Sequence, residues 1–144
     1  MGCGVRALIL RVCLQFATTN SKRQHALIDL LIYFSESIKT KPAKVRTLNE
    51  LLVMEGHQYH QRIAKNLQEL ADPSTVPYVK KILEDGFEVF SYTASEDRVI
   101  AKWFSWLLYE IGTEDAFSLM REYAVSKNVE IANEMAYRLD RANI

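Results

Sequence analysis

His57 and His60 stand three residues apart, two and five residues after Glu55. Two histidines on one helical face can hold a transition metal. The zinc-protease pattern is His-Glu-x-x-His, and this stretch does not follow it. No third ligand is identified nearby. The plainer expectation is surface or capping histidines at a helix start.

A second set is aromatic and basic. Trp103, Trp106 and Tyr109 fall three, six and nine residues after Ile100. That places them beside the apolar stripe of one helix rather than within it. Tyr137 follows Ile131 by six, the position equivalent to Trp106, and Lys65 and Lys102 each follow an isoleucine (Ile63, Ile100) by two. If these helices face solvent on one side, Lys65, Lys102, Trp103, Trp106 and Tyr137 form a partner-binding surface. Aromatic anchors are the usual hot spots of protein interfaces. They can equally stack on nucleic-acid bases. The competing expectation is that the tryptophans pack between neighbouring helices.

Three acidic pairs, Glu84-Asp85, Glu96-Asp97 and Glu114-Asp115, complete the titratable clusters. Two stand at expected helix starts, where carboxylates complement the helix dipole. They read as a solvated face. No Gly-rich phosphate loop and no local nucleophile arrangement is present, so no catalytic residue, metal or cofactor is expected. Cys3 and Cys13 carry no metal-binding spacing and read as reduced thiols of a cytoplasmic protein.

The elements that position these residues are helical. The chain has 144 residues, five glycines and three prolines. So few breakers favour long helices. It is 49% hydrophobic and 25% charged, ordinary for a globular protein. Lys plus Arg equals Asp plus Glu at 18 each. That balance makes nucleic acid the weaker candidate partner, since phosphate neutralisation needs a basic face.

Residues 1–17 are apolar but split by Arg6 and Arg11. They fit neither a signal peptide nor a membrane span and are expected to form a first helix packed on the next one, with a poorly ordered leader as the alternative. Arg6 stands where a myristoylation motif needs Ser or Thr. Ser21-x-x-Gln24 is a capping box opening a helix to about Ile38. A polar link at 39–42 leads to a helix over 43–54, with Gly56 as its expected C-terminal cap. The spacing then predicts helices over 57–71, 74–85, 95–112, 113–126 and 128–142. Asp72-Pro73 closes the first of these, Thr113 caps the fourth, and residues 126–128 are a turn. Residues 87–94 alternate in a strand-like way, but a strand has no partner here. They read as a loop or a kinked continuation of the preceding helix.

Ile63-Ala64-Lys65 recurs as Ile100-Ala101-Lys102 and as Ile131-Ala132-Asn133, 37 and 31 residues apart. A recurring supersecondary unit marks a repeat architecture. With the segments 67–83 (LQELADPSTVPYVKKIL), 111–120 (IGTEDAFSLM) and 129–139 (VEIANEMAYRL), the chain resembles the HEAT-repeat family, in the variant close to phycobilisome-lyase-type repeats. The copies differ in length, and the family's Val-Arg and Asp pair is incomplete.

The resemblance implies an all-α fold: a short right-handed α-solenoid, or superhelix, of about three to four antiparallel helix pairs. The whole of 1–144 would be one repeat domain, with 1–42 as divergent N-terminal cap helices and 43–142 as three helix-pair repeats. The inner helices 57–71, 95–112 and 128–142 would line a concave side. By the same resemblance, the expected function is that of a non-catalytic protein–protein interaction module, like bacterial adaptor or immunity-type proteins. The partner would be a protein of unknown identity, with no membrane association, and a homodimer is a further option. The alternative is a nucleic-acid-binding protein, in the manner of HEAT-like DNA glycosylases, drawing on Lys22, Arg23, Lys39, Lys41, Lys44 and Arg46. A bilin-handling lyase is a third implication of the repeat variant.

Overall fold

The computed structural model describes residues 29, 30, 33 and 35–144. The chain divides into two compact units, Met1–Lys39 and Thr40–Ile144. In the first, residues 29, 30, 33 and 35–37 are helical and Ser35 is buried. The expected leading helix over 1–17 and the Ser21–Gln24 capping box lie outside the described residues.

The second unit holds six α-helices: α1 (Lys41–Val53), α2 (His60–Leu70), α3 (Val76–Asp85), α4 (Asp97–Ile111), α5 (Glu114–Tyr123) and α6 (Val129–Ala142). Two 3-10 segments, Pro73–Thr75 and Glu88–Thr93, join α2 to α3 and α3 to α4. The described residues contain no strand. The fold is all-α, as expected, and each of the six helices expected after residue 42 is present. Among the described residues, no helix is long and apolar enough to cross a membrane.

The helix ends follow local chemistry. α1 begins at Lys41 with Pro42 inside its first turn. A proline costs little there, because the N–H it lacks would be unpaired in any case. The polar link is therefore shorter than expected. α1 ends at Val53 with Met54 as its cap, so Gly56 is not that cap. Gly56 sits farther along the connection with φ of 85°. α2 begins three residues later than the spacing predicts, because residues 54–59 are held in a separate turn. It ends on Ala71, whose left-handed φ of 48° lets its N–H reach the Leu67 carbonyl. Gly112 ends α4 in the same way with φ of 65°. A β-carbon is costly in that conformation and absent from glycine.

Thr113 caps α5, its Oγ1 accepting from the Ala116 N–H at 3.3 Å. Asn128 caps α6, its Oδ1 accepting from the N–H groups of Glu130 and Ile131 at 3.1 and 3.2 Å. Asp97, Glu114 and Asp115 occupy first turns, where the dipole favours them. Glu84 and Asp85 instead pair with Lys80 and Lys81 one turn earlier on α3. The acidic residues therefore sit at helix starts or pair with lysines and do not converge.

The apolar stripes build one core in this unit. Ile63 and Leu67 of α2, Ile100, Phe104 and Leu108 of α4, and Ile131, Met135 and Leu139 of α6 are all buried. Val129, the first residue of α6, is 64% exposed. Each large apolar side chain taken fully out of water contributes roughly 1.5–3 kcal/mol. α4 packs extensively on both α2 and α6, and α3 packs on both α1 and α5. The hairpins α1–α2, α4–α5 and α5–α6 also pack side by side.

Residues 87–94 form neither a strand nor an extension of α3. Gly86, with φ of 85°, ends that helix, and Glu88–Thr93 makes its own short helix. The segment drives Phe87 and Phe90 into the core, where both rings meet Phe104 at centroid distances of 6.0 and 5.8 Å. α1 is tied to the Pro73–Thr75 turn by polar contacts. Thr75 Oγ1 donates to Asn49 Oδ1 at 2.7 Å, and Asn49 Nδ2 donates to Ser74 Oγ at 3.3 Å. A buried amide is stable only when paired in this way.

Candidate functional site: the groove between α2 and α4

Helix geometry places Gln61, Lys65 and Gln68 on one line of α2, at spacings of four and three. On α4, Lys102, Trp103 and Trp106 occupy the facing side. These six side chains and Ala64 enclose an open groove of about 220 Å³. Lys65 and Lys102 are exposed at its rim, and both tryptophan rings are half-buried. Four of the five residues expected to bind a partner are therefore brought together.

The fifth, Tyr137, lines a neighbouring groove of about 380 Å³ with Arg98, Glu130, Asn133 and Glu134. Its ring is 50% exposed. Its hydroxyl accepts from Arg141 Nε at 3.1 Å. The equivalence of Tyr137 and Trp106 along the repeat does not make them neighbours on one surface.

The two tryptophans are anchored differently. The Trp103 ring meets the edge of Phe90, with centroids 6.3 Å apart. Trp106 carries the Arg138 guanidinium of α6 over its face, 3.6 Å from the ring centroid. Its ring also meets Tyr109 edge-on at 5.8 Å. Each ring is thus both partly exposed and packed against a neighbouring element.

Arg138 and Glu134 are functional candidates that the sequence reading did not single out. Both are buried, at 5% and 8% exposure. Arg98 Nε donates to Glu134 Oε1 at 3.3 Å, joining α4 to α6. Arg138 Nε is buried without a hydrogen-bond partner. The signal that could have found them is spacing. Both follow Ile131 at helical intervals of three and seven, on the face turned toward α4.

His57 and His60 are neither on the surface nor capping a helix. They are 2% and 1% exposed, with ring centroids 3.9 Å apart in a stack. His57 Nε2 donates to the Leu51 carbonyl at 2.7 Å, and its Nδ1 accepts from the Tyr59 N–H at 3.1 Å. His60 Nε2 donates to the Met54 carbonyl at 2.8 Å. Its Nδ1 accepts from the Tyr92 hydroxyl at 2.8 Å, and its backbone N–H donates to the same oxygen at 3.2 Å. These bonds fix one neutral tautomer on each ring.

Burial pushes the His57 pKa down, against the opposing pull of the Leu51 carbonyl. His60 is lowered to about 4, first by burial and then by the neighbouring His57 charge, with the Met54 carbonyl opposing. Burial raises Tyr92, so its hydroxyl keeps its proton. The pair is a latch that closes residues 54–59 onto the 3-10 segment. Among the described residues, no group of three or more His, Cys, Asp or Glu side chains could hold a metal ion.

The groove therefore offers two exposed cations, two partly exposed indole rings and two side-chain amides. Its lining carries no carboxylate, imidazole, thiol or hydroxyl. No family model, curated protein or solved structure matches this chain.

Proposed function

We propose that this chain is a cytoplasmic, non-catalytic protein-binding module built as a short right-handed HEAT-like solenoid. In this reading α2, α4 and α6 are the inner helices of successive pairs. The packing of α4 on both α2 and α6, and of α3 on both α1 and α5, supports it. Stacking pairs in this way buries a continuous core and leaves one row of helices free to meet a partner. An adaptor or immunity-type role, in which the module occupies a partner surface, fits these features.

The observation that carries the reading is the groove. Two half-exposed tryptophans and two exposed lysines share one concavity between α2 and α4. Large aromatic rings left partly in water are the residues that gain most from being covered by a partner. The test is quantitative capture from the native source with wild type, Trp103→Ala, Trp106→Ala, and a control altered at Lys80 and Lys81. A protein held by wild type and control but lost from both groove variants, whose far-UV circular dichroism is unchanged, is the expected result. Identical capture profiles for all four would end the proposal.

Nucleic acid is the second reading, favoured by the same rings and lysines, which match base stacking and phosphate contact. Its mark would be oligonucleotide binding that weakens steeply with salt.

A further inference from the structure

We infer that the occupant of the α2–α4 groove is an acidic, aromatic-containing segment of a partner polypeptide, bound in extended form. This rests on the protein-binding reading above and names the chemistry of the partner.

Charge complementarity carries the inference. Lys80, Lys81, Arg98 and Arg121 each lie within 4 Å of a carboxylate of this chain. Among the described residues, Lys65 and Lys102 form no such ion pair. They face one another across a groove whose lining has no negative charge. Behind the groove the Arg138 guanidinium lies on the Trp106 ring, and it too is positive. An incoming carboxylate therefore meets two cations and no carboxylate in the lining. A basic segment would meet two like charges in the lining.

The rest of the lining fixes the form of the segment. The tryptophan faces and Ala64 give the apolar floor on which an aromatic ring stacks at offset or edge-on geometry. Gln61 and Gln68 each provide a donor and an acceptor at the two ends of the α2 line. Seven residues of helix separate them by about 10 Å. An extended backbone covers that distance in about three residues. Glutamine amides can then pair with peptide N–H and C=O groups, while Lys65 and Lys102 take carboxylates on either side of one buried ring. A nucleic-acid strand would need phosphate neutralisation along a longer path than two lysines provide, on a chain with no net charge.

Trp103 and Trp106 are the only tryptophans in the chain, so intrinsic fluorescence reads this groove directly. The probes are the acetylated and amidated peptide EFEFE, its basic counterpart KFKFK, and a twelve-nucleotide oligothymidylate. EFEFE should shift the emission saturably, and K65E/K102E should weaken it about tenfold, the loss of two exposed ion pairs. KFKFK should bind the double variant better than wild type. Both substitutions are on exposed side chains, and unchanged circular dichroism shows that the variant is folded. The inference is overturned if EFEFE gives no shift, if K65E/K102E leaves its binding unaltered, or if KFKFK or the oligonucleotide binds wild type more tightly. If a Trp106-dependent protein is captured while EFEFE fails, only the acidic-segment inference falls. Absence of both removes the docking reading as well.

Discussion

The Arg138 guanidinium lies 3.6 Å from the centroid of the Trp106 ring, joining α6 to α4 behind the groove. The charge needs the ring, because Arg138 is almost wholly buried and its Nε has no hydrogen-bond partner. A cation over an indole face contributes roughly 0.5–2 kcal/mol, more as it is desolvated. The aliphatic stem adds packing of its own.

Arg138→Ala therefore loses both stem and charge, and should destabilise by about 2–3 kcal/mol. Arg138→Met keeps most of the volume and removes an unpaired buried donor, so it should cost about 1 kcal/mol. Urea denaturation followed by circular dichroism measures both. Equal losses for the two variants would mean that the stem's packing is not what matters. Both should also shift Trp106 emission, since the ring loses its cover.

The histidine latch makes stability depend on mild acid. His60 has a folded pKa of about 4 against an ordinary 6.5, so the unfolded chain takes up a proton that the folded chain refuses. Its contribution is constant above pH 6.5, falls as pH drops from 6.5 toward 4, and levels off below. The full loss is about 3 kcal/mol for a shift of this size. His57 is lowered in the same direction and adds to the slope. Asp72 is lowered too, through its bonds to Ser74 and against a small burial effect, with Lys41 assisting. Its stabilisation is present above its ordinary 3.8 and is lost only below it, so the two windows separate. Urea midpoints measured from pH 8 to pH 4.5 should fall in wild type. They should stay flatter in a His57→Phe/His60→Gln variant, and parallel curves would refute the latch.

Asn128 holds two orphan N–H groups of α6, and its Nδ2 donates to Asp97 Oδ2 at 3.1 Å. Asn128→Ala should cost about 1 kcal/mol, the usual value of an N-cap. Hydrogen exchange at Glu130 and Ile131 should accelerate more than exchange in the middle of α6. Uniform acceleration along the helix would instead indicate global destabilisation without a local cap effect.

Phe104 is fully buried and meets the rings of both Phe87 and Phe90. Phe104→Ala should cost about 3–5 kcal/mol. It should also release the 3-10 segment and lower protection of the Tyr92–His60 contact. Phe104→Leu should recover more than half of the loss. A mild effect of the alanine variant in thermal unfolding would show that residues 87–93 are not held by this ring.

Much of the helical arrangement was legible locally. The Ile63, Ile100 and Ile131 stripes recur at helical spacing, and their residues are buried as that spacing requires. Thr113, Gly112 and Ala71-Asp72 end or start helices through contacts within a few residues, so their sequence neighbours suffice. The groove was half legible. Side chains at fixed offsets from a buried stripe have a determined direction on their own helix, which is why Lys65, Lys102, Trp103 and Trp106 could be named.

Other features depended on contacts distant in sequence. Tyr137 carries the same offset as Trp106, yet the groove that receives it is bounded by α4 and α6 residues rather than by α2. His57 and His60 have the composition of a metal site or a solvated helix start. Tyr92, 32 residues beyond His60, supplies the bond that makes one of them a buried latch. Arg138 and Glu134 look like surface charges until α4 brings Trp106 and Arg98 to them.

By itself the sequence determined an all-α chain, the six helices after residue 42, the Thr113 cap, and which side chains flank each apolar stripe. These follow from helical periodicity and from bonds that reach only three or four residues. Tertiary structure alone decided that Lys65 and Lys102 face each other over two tryptophans, that a cation backs Trp106, and that the histidines are neutral and enclosed. Those outcomes depend on which helix faces which and on how far water is excluded between them. Burial and charge proximity are properties of the packed assembly, and no single helix encodes them.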